Sequence, residues 1–210
     1  MHFLEEELRL YAVTDRRWLK GRTLLDCVRD AVDGGATIVQ LREKDPDPEN
    51  LRKEALQIKD LCGSRGVKLL VNDDVALAKE INADGVHLGQ DDMDPYTARQ
   101  ILGQEKVIGV TAKTVEQARA AQSAGADYIG VGAVFGTKSK KNAKRITIEQ
   151  MKKICSAVSI PAVAIGGITA ANAGLLTGSG VSGIAVVSAL FAQKDIREAA
   201  RDLRKIADQI

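Results

Sequence analysis

An α/β chain closed into a single (β/α)8 TIM barrel is the fold this sequence predicts, on three observations. Short apolar runs of β type alternate with longer helix-type segments eight times along the 210 residues. Each run ends in a polar or glycine-rich turn, as strands opening onto a barrel mouth do. The texture is even over residues 1–210, with no Ser/Pro-rich linker or low-complexity tract, so one domain is expected, with its active site at the carboxyl ends of the strands. A doubly wound open sheet has the same local text. Closure is favoured where functional groups gather at several strand ends, since those ends share one mouth in a barrel.

The first strand is read over Arg9–Thr14 and leads to a helix over Thr23–Asp33, with Gly34 as its exit. The second, Thr37–Arg42, precedes the helix Pro48–Ser64, whose proline suits a first turn because the N–H it lacks would be unpaired there. Lys68–Asn72 and the helix Val75–Ile81 follow, then Gly85–Leu88 and Pro95–Leu102, opened by Pro95 and closed by Gly103. The fifth unit is Val107–Thr111 with Val115–Ala124, ended by Gly125. The sixth is Tyr128–Val134 with Thr147–Ala157, the seventh Ala162–Gly166 with Ala170–Leu176, and the eighth Gly183–Ser188 with Asp195–Ile210.

Thirty basic against 28 acidic residues leave a formal charge of +2, so anion attraction must come from local clusters. Aromatics make up 3% of the chain, too few platforms for base stacking, and nucleic acid is not an expected partner. No membrane partner is expected either, because apolar runs such as Ile160–Ile165 and Ile184–Val187 are strand-sized. Glu5, Glu6 and Glu7 stand where a signal peptide would be cationic and then apolar, which points to a cytoplasmic location. Cys27, Cys62 and Cys155 are odd in number and widely spaced, as reduced structural thiols are.

The chemistry gathers at strand ends. Asp127 to Arg145 reads as a buried strand emptying into a loop with hydroxyls and five cationic side chains, hinged at Gly136, which suits a phosphate and also suits a solvated basic surface. Period-two geometry puts Ile38, Gln40, Arg42 and Lys44 on one face of the second strand and Val39 and Leu41 on the other. With the apolar pair against outer helices, an amide, a guanidinium and an ammonium converge inward; an amphipathic edge strand facing water is the alternative. Carboxylates end the third and fourth strands: Asp73 and Asp92 suit Mg²⁺, which takes one or two carboxylates plus phosphate oxygens and water, whereas Asp74 and Asp94 are read as helix caps. Thr111 adds a hydroxyl, and Gly166, Gly167 and the backbone after Val187 and Ser188 form a phosphate cradle. Gly130 and Gly132, with Ala162, Ala164 and Gly166, leave room for an organic ligand where those faces point inward. His87 is read as a hydrogen-bonded barrel histidine before a catalytic base. No nucleophile–base pair is visible, which argues against a Ser or Cys hydrolase.

In this order, Gln40 to Lys44, Asn72 to Asp74, His87 to Asp92, Gly130 to Lys140 and Gly166 to Ile168 closely resemble the thiamine-phosphate synthase family over nearly the whole chain. The resemblance implies a transferase that joins a hydroxymethylpyrimidine diphosphate to a thiazole phosphate, giving thiamine monophosphate and pyrophosphate. It implies that Gln40, Leu41, Arg42, Glu43, Lys44, Asn72, Thr111 and Lys140 hold the pyrimidine diphosphate, with Arg42 and Lys140 catalytic, and that Asp73 and Asp92 hold Mg²⁺. Thr137, Lys138, Ser139, Gly167, Val187 and Ser188 fall to the thiazole phosphate, and the Phe135–Arg145 loop to a gate over both phosphates. The family often has proline at Gly136, threonine at Ser139 and serine at Thr111, departures that bear on loop stiffness and rate. A thiazole tautomerase of the same barrel family and a non-catalytic phosphate-binding barrel are the rival readings; the tautomerase would not need Asp73 and Asp92.

Overall fold

In a computed structural model, which describes residues 5–43, 47–136 and 145–210, eight parallel strands close into a barrel in sequence order. They are β1 (Leu10–Val13), β2 (Ile38–Leu41), β3 (Lys68–Asn72), β4 (Gly85–Leu88), β5 (Val107–Ala112), β6 (Tyr128–Gly132), β7 (Ala162–Ile165) and β8 (Gly183–Val186). The ring shuts where β1 pairs with β8, Leu10 beside Ile184 and Ala12 beside Val186. Lys44 and Thr137 to Lys140, named above as ligand residues, lie outside the described residues, as does most of the expected gate.

Alternation along each strand feeds two separate cores, which is why the strands read as continuous apolar runs. Outward residues such as Val39, Leu41, Leu69, Val71, Ile108 and Ile129 pack against the surrounding helices. Inward residues, among them Tyr11, Ile38, Leu70, Tyr128, Val163 and Ala185, fill the barrel itself. Leu8, on a short 3-10 turn (Glu5–Leu8), joins this inner cluster fully buried and closes the floor.

The helices are α1 (Leu24–Asp33), α2 (Pro48–Ser64), α3 (Val75–Glu80), α4 (Pro95–Leu102), α5 (Val115–Ser123), α6 (Ile148–Cys155), α7 (Ser188–Phe191) and α8 (Ile196–Ala207). Side-chain caps fix their starts: Thr23, Asp74, Asp94, Thr114, Thr147 and Asp195 each accept a first-turn backbone N–H. Asp74 and Asp94 are therefore caps, as their positions predicted. Arg99 of α4 is buried and bonded to the carbonyls of Gly103, Lys106 and Gly125 and to Asp127, tying two loops at the barrel floor.

Three expectations need correction. After β7 only a 3-10 turn (Ala173–Leu176) forms where a helix over Ala170–Leu176 was predicted, and Ser188 opens α7 instead of ending β8. On β7 the faces are reversed: Ala162 and Ala164 point outward to the helices, and Val163 and Ile165 point inward. Both faces of a parallel strand are buried, so small residues at alternate positions do not say which face holds a ligand.

Candidate functional site

At the carboxyl ends of the strands lies a cavity of about 150 Å³ with two unlike walls. Its polar wall comes from β2 to β5 and carries Gln40, Arg42, Asn72, His87, Thr111 and Lys113. Opposite, Ile165 to Ile168 at the end of β7 and Ala185 to Ser188 at the end of β8 offer apolar side chains and backbone. Of the predicted residues, Gln40, Arg42, Asn72, Thr111, Gly167, Val187 and Ser188 thus meet around one space.

Leu41 and Glu43 do not bring their side chains there. Leu41 is packed outward against the helices. The Glu43 side chain is 2% exposed and paired with Arg16, which also binds Glu54. Burial pushes the Glu43 carboxyl up, against the pull of Arg16 and of a 3.1 Å bond from the Thr14 hydroxyl. Only the backbone of these two residues is left to meet a ligand, a correction that follows from strand alternation.

The sequence reading passed over several groups that shape this wall. Thr14, fully buried at the end of β1, accepts the Arg42 N–H at 2.9 Å and so fixes where Arg42 leaves β2. Asp15 lies close enough to Arg42 to feel its charge; burial alone would raise its carboxyl, but bonds from Arg17 hold it below its ordinary value. Lys113, one residue beyond β5, adds a cation to the cavity. All three carried the signal used elsewhere, a polar residue within two positions of the end of an apolar strand.

Asp73 and Asp92, from the ends of β3 and β4, form a carboxylate pair. Asp73 takes a left-handed backbone (φ 63°), its N–H extending the ladder to the His87 carbonyl at 2.9 Å. Asn72 donates to Asp73 Oδ2 at 2.5 Å, and Asp92 Oδ2 accepts the Gly89 N–H at 2.6 Å, folding the β4 loop inward. Burial pushes the Asp73 carboxyl up to about 6, and the hydrogen bond and charge of Asp92 add to the rise, while Arg42 works against it. Two carboxylates held together, with Asp73 pushed toward its protonated form by its surroundings, are a donor set that a divalent cation would relieve.

The opposite wall is a backbone surface. Gly166 (φ 100°) and Gly167 (φ 69°) adopt conformations that side chains resist, and a Cβ on Gly167 would sit 2.2 Å from the Gly136 carbonyl oxygen. Asn172 pins this turn, donating to the Gly167 carbonyl at 3.0 Å and accepting the Thr169 N–H at 2.8 Å. Gly136 has open space where its Cβ would be and no left-handed φ, so the expected glycine hinge is not demanded by its backbone. Beside the turn, α7 opens at Ser188, where the first N–H groups of a helix have no intrahelical partner.

The three cysteines are free, and burial pushes Cys62 up to about 12 and Cys155 up to about 11, which makes them poor nucleophiles. Among the described residues no helix is long and apolar enough to cross a membrane.

Fold and site together define a class: a (β/α)8 barrel whose mouth cavity sets cations against a glycine turn, with a carboxylate pair beside one of those cations. Comparison with known proteins narrows this. Residues 10–190 match the family described as thiamine monophosphate synthase. The thiamine-phosphate synthase of Ruminiclostridium cellulolyticum is 46% identical over 197 residues, 94% of each chain. That of Coprothermobacter proteolyticus is 46% identical over 205 residues, 97% of this chain and 96% of the relative. A solved thiamine phosphate pyrophosphorylase from Pyrococcus furiosus superposes with a TM-score of 0.90 at 39% identity over 98% of both chains. The chain belongs to the thiamine monophosphate synthase family.

Proposed function

We infer that the protein condenses 4-amino-2-methyl-5-hydroxymethylpyrimidine diphosphate with 4-methyl-5-(2-phosphoethyl)thiazole, yielding thiamine monophosphate and pyrophosphate. Family membership over nearly the whole chain supports the reaction. The observation that carries the site is the Asp73–Asp92 pair beside Arg42, which itself lines one cavity with the Gly166–Gly167 turn. A thiazole tautomerase has no use for that pair and is not favoured.

In the proposed assignment the diphosphate lies along the polar wall. Arg42 and, from outside the described residues, Lys140 take the charge that grows on it as the carbon–oxygen bond to the pyrimidine methylene breaks. Asp73 and Asp92 would hold Mg²⁺, which when bound neutralises phosphate oxygens. The electron-rich aminopyrimidine stabilises the methylene cation, and the thiazole nitrogen donates its lone pair to that carbon, leaving the positive charge on the thiazolium. No proton need be removed, so the reaction asks no base of the wall, and the His87 ring is left to its hydrogen bonds with Tyr128 and Thr111. Gly167, Val187 and Ser188, with Thr137 to Ser139, would receive the thiazole phosphate through backbone N–H and hydroxyl donors. Ile165 and Ile168 keep water from the cation. Unpaired thiols at Cys27, Cys62 and Cys155 support a reducing, cytoplasmic setting.

The test is turnover of purified protein with both substrates and Mg²⁺, with and without chelator, following thiamine phosphate as its fluorescent oxidation product. Chelator-sensitive product is expected. Folded protein that makes none would overturn the assignment.

A further inference from the structure

Beneath the cavity, residues of the polar wall are joined through two tyrosines. Gln40 Nε2 donates to Tyr11 Oη at 2.7 Å. Tyr11 and Tyr128 hydroxyls are 2.8 Å apart, Tyr128 Oη lies 2.8 Å from His87 Nδ1, and His87 Nε2 lies 3.0 Å from Thr111 Oγ1. The path runs from β2 through β1, β6 and β4 to β5, crossing the barrel interior and surfacing in the cavity at both ends. Two glycines make room for it: a Cβ on Gly109 would meet the Tyr128 ring at 2.0 Å, and one on Gly130 would come 3.0 Å from His87 Cε1.

Proton counting gives the path a direction. Both tyrosines are fully buried and desolvation raises both phenols, so each keeps its one proton. Tyr11 accepts the Gln40 amide, and the acceptor within reach of its own buried proton among the described residues is Tyr128 Oη, to which it donates. Tyr128, accepting from Tyr11, has its own proton at hydrogen-bond distance from His87 Nδ1. An Nδ1 that accepts leaves the ring proton on Nε2, which donates to Thr111. The Thr111 proton is then turned into the cavity, and Gln40, with Nε2 committed inward, offers Oε1.

We propose that this relay makes Tyr11, Tyr128 and His87 positioning residues: it holds His87 as the neutral Nε2–H tautomer and presents the pyrimidine diphosphate with one fixed donor, Thr111, and one fixed acceptor, Gln40. The substrate named here rests on the function proposed above; the relay's polarity is a property of the protein alone. A substrate of matching polarity, an N–H facing Gln40 and an acceptor facing Thr111, is bound without reorganising either group.

The experiment is ¹H–¹⁵N correlation of imidazole signals in uniformly ¹⁵N-labelled, ligand-free protein. The only other histidine is His2, so His2→Asn assigns the signals. Wild type is expected to show a protonated Nε2 and a bare Nδ1; an Nδ1–H tautomer or an imidazolium would overturn the relay, and this reading needs no other variant to fold. In Tyr128→Phe, with circular dichroism confirming the fold, the fixed tautomer is expected to give way to a mixture or to Nδ1–H. An unchanged spectrum there would contradict the proposal. Tyr11→Phe is expected to raise KM for the pyrimidine diphosphate roughly 3- to 10-fold, the loss of about one hydrogen bond, with KM for the thiazole phosphate unchanged. Equal changes in both would reduce Tyr11 to packing and overturn its positioning role. Wild type with the Nε2–H tautomer but no turnover would remove the assigned reaction while leaving the relay in place.

Discussion

The two walls of the mouth do related work with different materials. From β2 to β5 the contacts are side chains, with Arg42 set by Thr14, Asp73 by Asn72 and Asp92, and Thr111 by His87. After β7 and β8 the wall is apolar side chains and polar backbone, a left-handed Gly166–Gly167 turn and the first N–H groups of α7. Charged side chains can gather a metal and a diphosphate but need neighbours to hold them in place. A backbone surface is rigid and uncharged, and it suits a single phosphate on an otherwise apolar ligand. Substitutions should therefore separate the walls.

The largest effect is expected at Asp92. Asp92→Asn keeps an acceptor for the Gly89 N–H but removes half of the carboxylate pair, so turnover at saturating substrates should fall on the order of 10²-fold or more. Turnover within a few-fold of wild type would remove the metal assignment. A smaller and opposite effect is expected at Gly167→Ala. The new methyl meets the Gly136 carbonyl and φ must stay left-handed, so KM for the thiazole phosphate should rise roughly 10-fold while the pyrimidine diphosphate is held as before. A matching rise for both substrates would show that the walls are not separable.

The smallest effect concerns stability. Asp73 has its carboxyl raised from 3.8 to about 6 in the fold. An acid with a higher folded than unfolded pKa binds its proton preferentially in the fold, so it costs stability as pH rises through that window, and the cost persists above it. Asp73→Asn removes the cost and tolerates the left-handed backbone. It should be more stable than wild type at pH 7.5 by on the order of 1 kcal/mol, allowing for solvent screening of a half-exposed group, and indistinguishable near pH 3.5. Thermal melts at the two pH values check this, and lower stability of the variant at pH 7.5 would contradict it. Mg²⁺ should raise the melting temperature of wild type but not of Asp73→Asn.

Much of this was legible in the sequence because the polar wall breaks local rules. Arg42, Asn72, Asp73 and Asp92 stand at the ends of apolar strands, where polar residues call for explanation, and Asp74 and Asp94 stand where helix caps belong. The other wall was legible only as glycines. Its side-chain expectation on β7, the inward face, was reversed because both faces of that strand are buried. Tyr11 and Tyr128 were silent for a related reason: an aromatic inside a strand reads as core, and the hydroxyls that link them are brought together by closure of the barrel, from residues 117 positions apart. Glu43 shows the converse, a charged residue in the right motif whose side chain is turned away to Arg16.

Calorimetric titration of each substrate separately, with Mg²⁺ present, into wild type and Asp92→Asn tests the division between the walls most directly. Affinity for the pyrimidine diphosphate should drop at least 10-fold in the variant, with that for the thiazole phosphate unchanged. Equal losses for both ligands, or no loss for the diphosphate, would contradict the assignment of the carboxylate pair to one substrate and the glycine turn to the other.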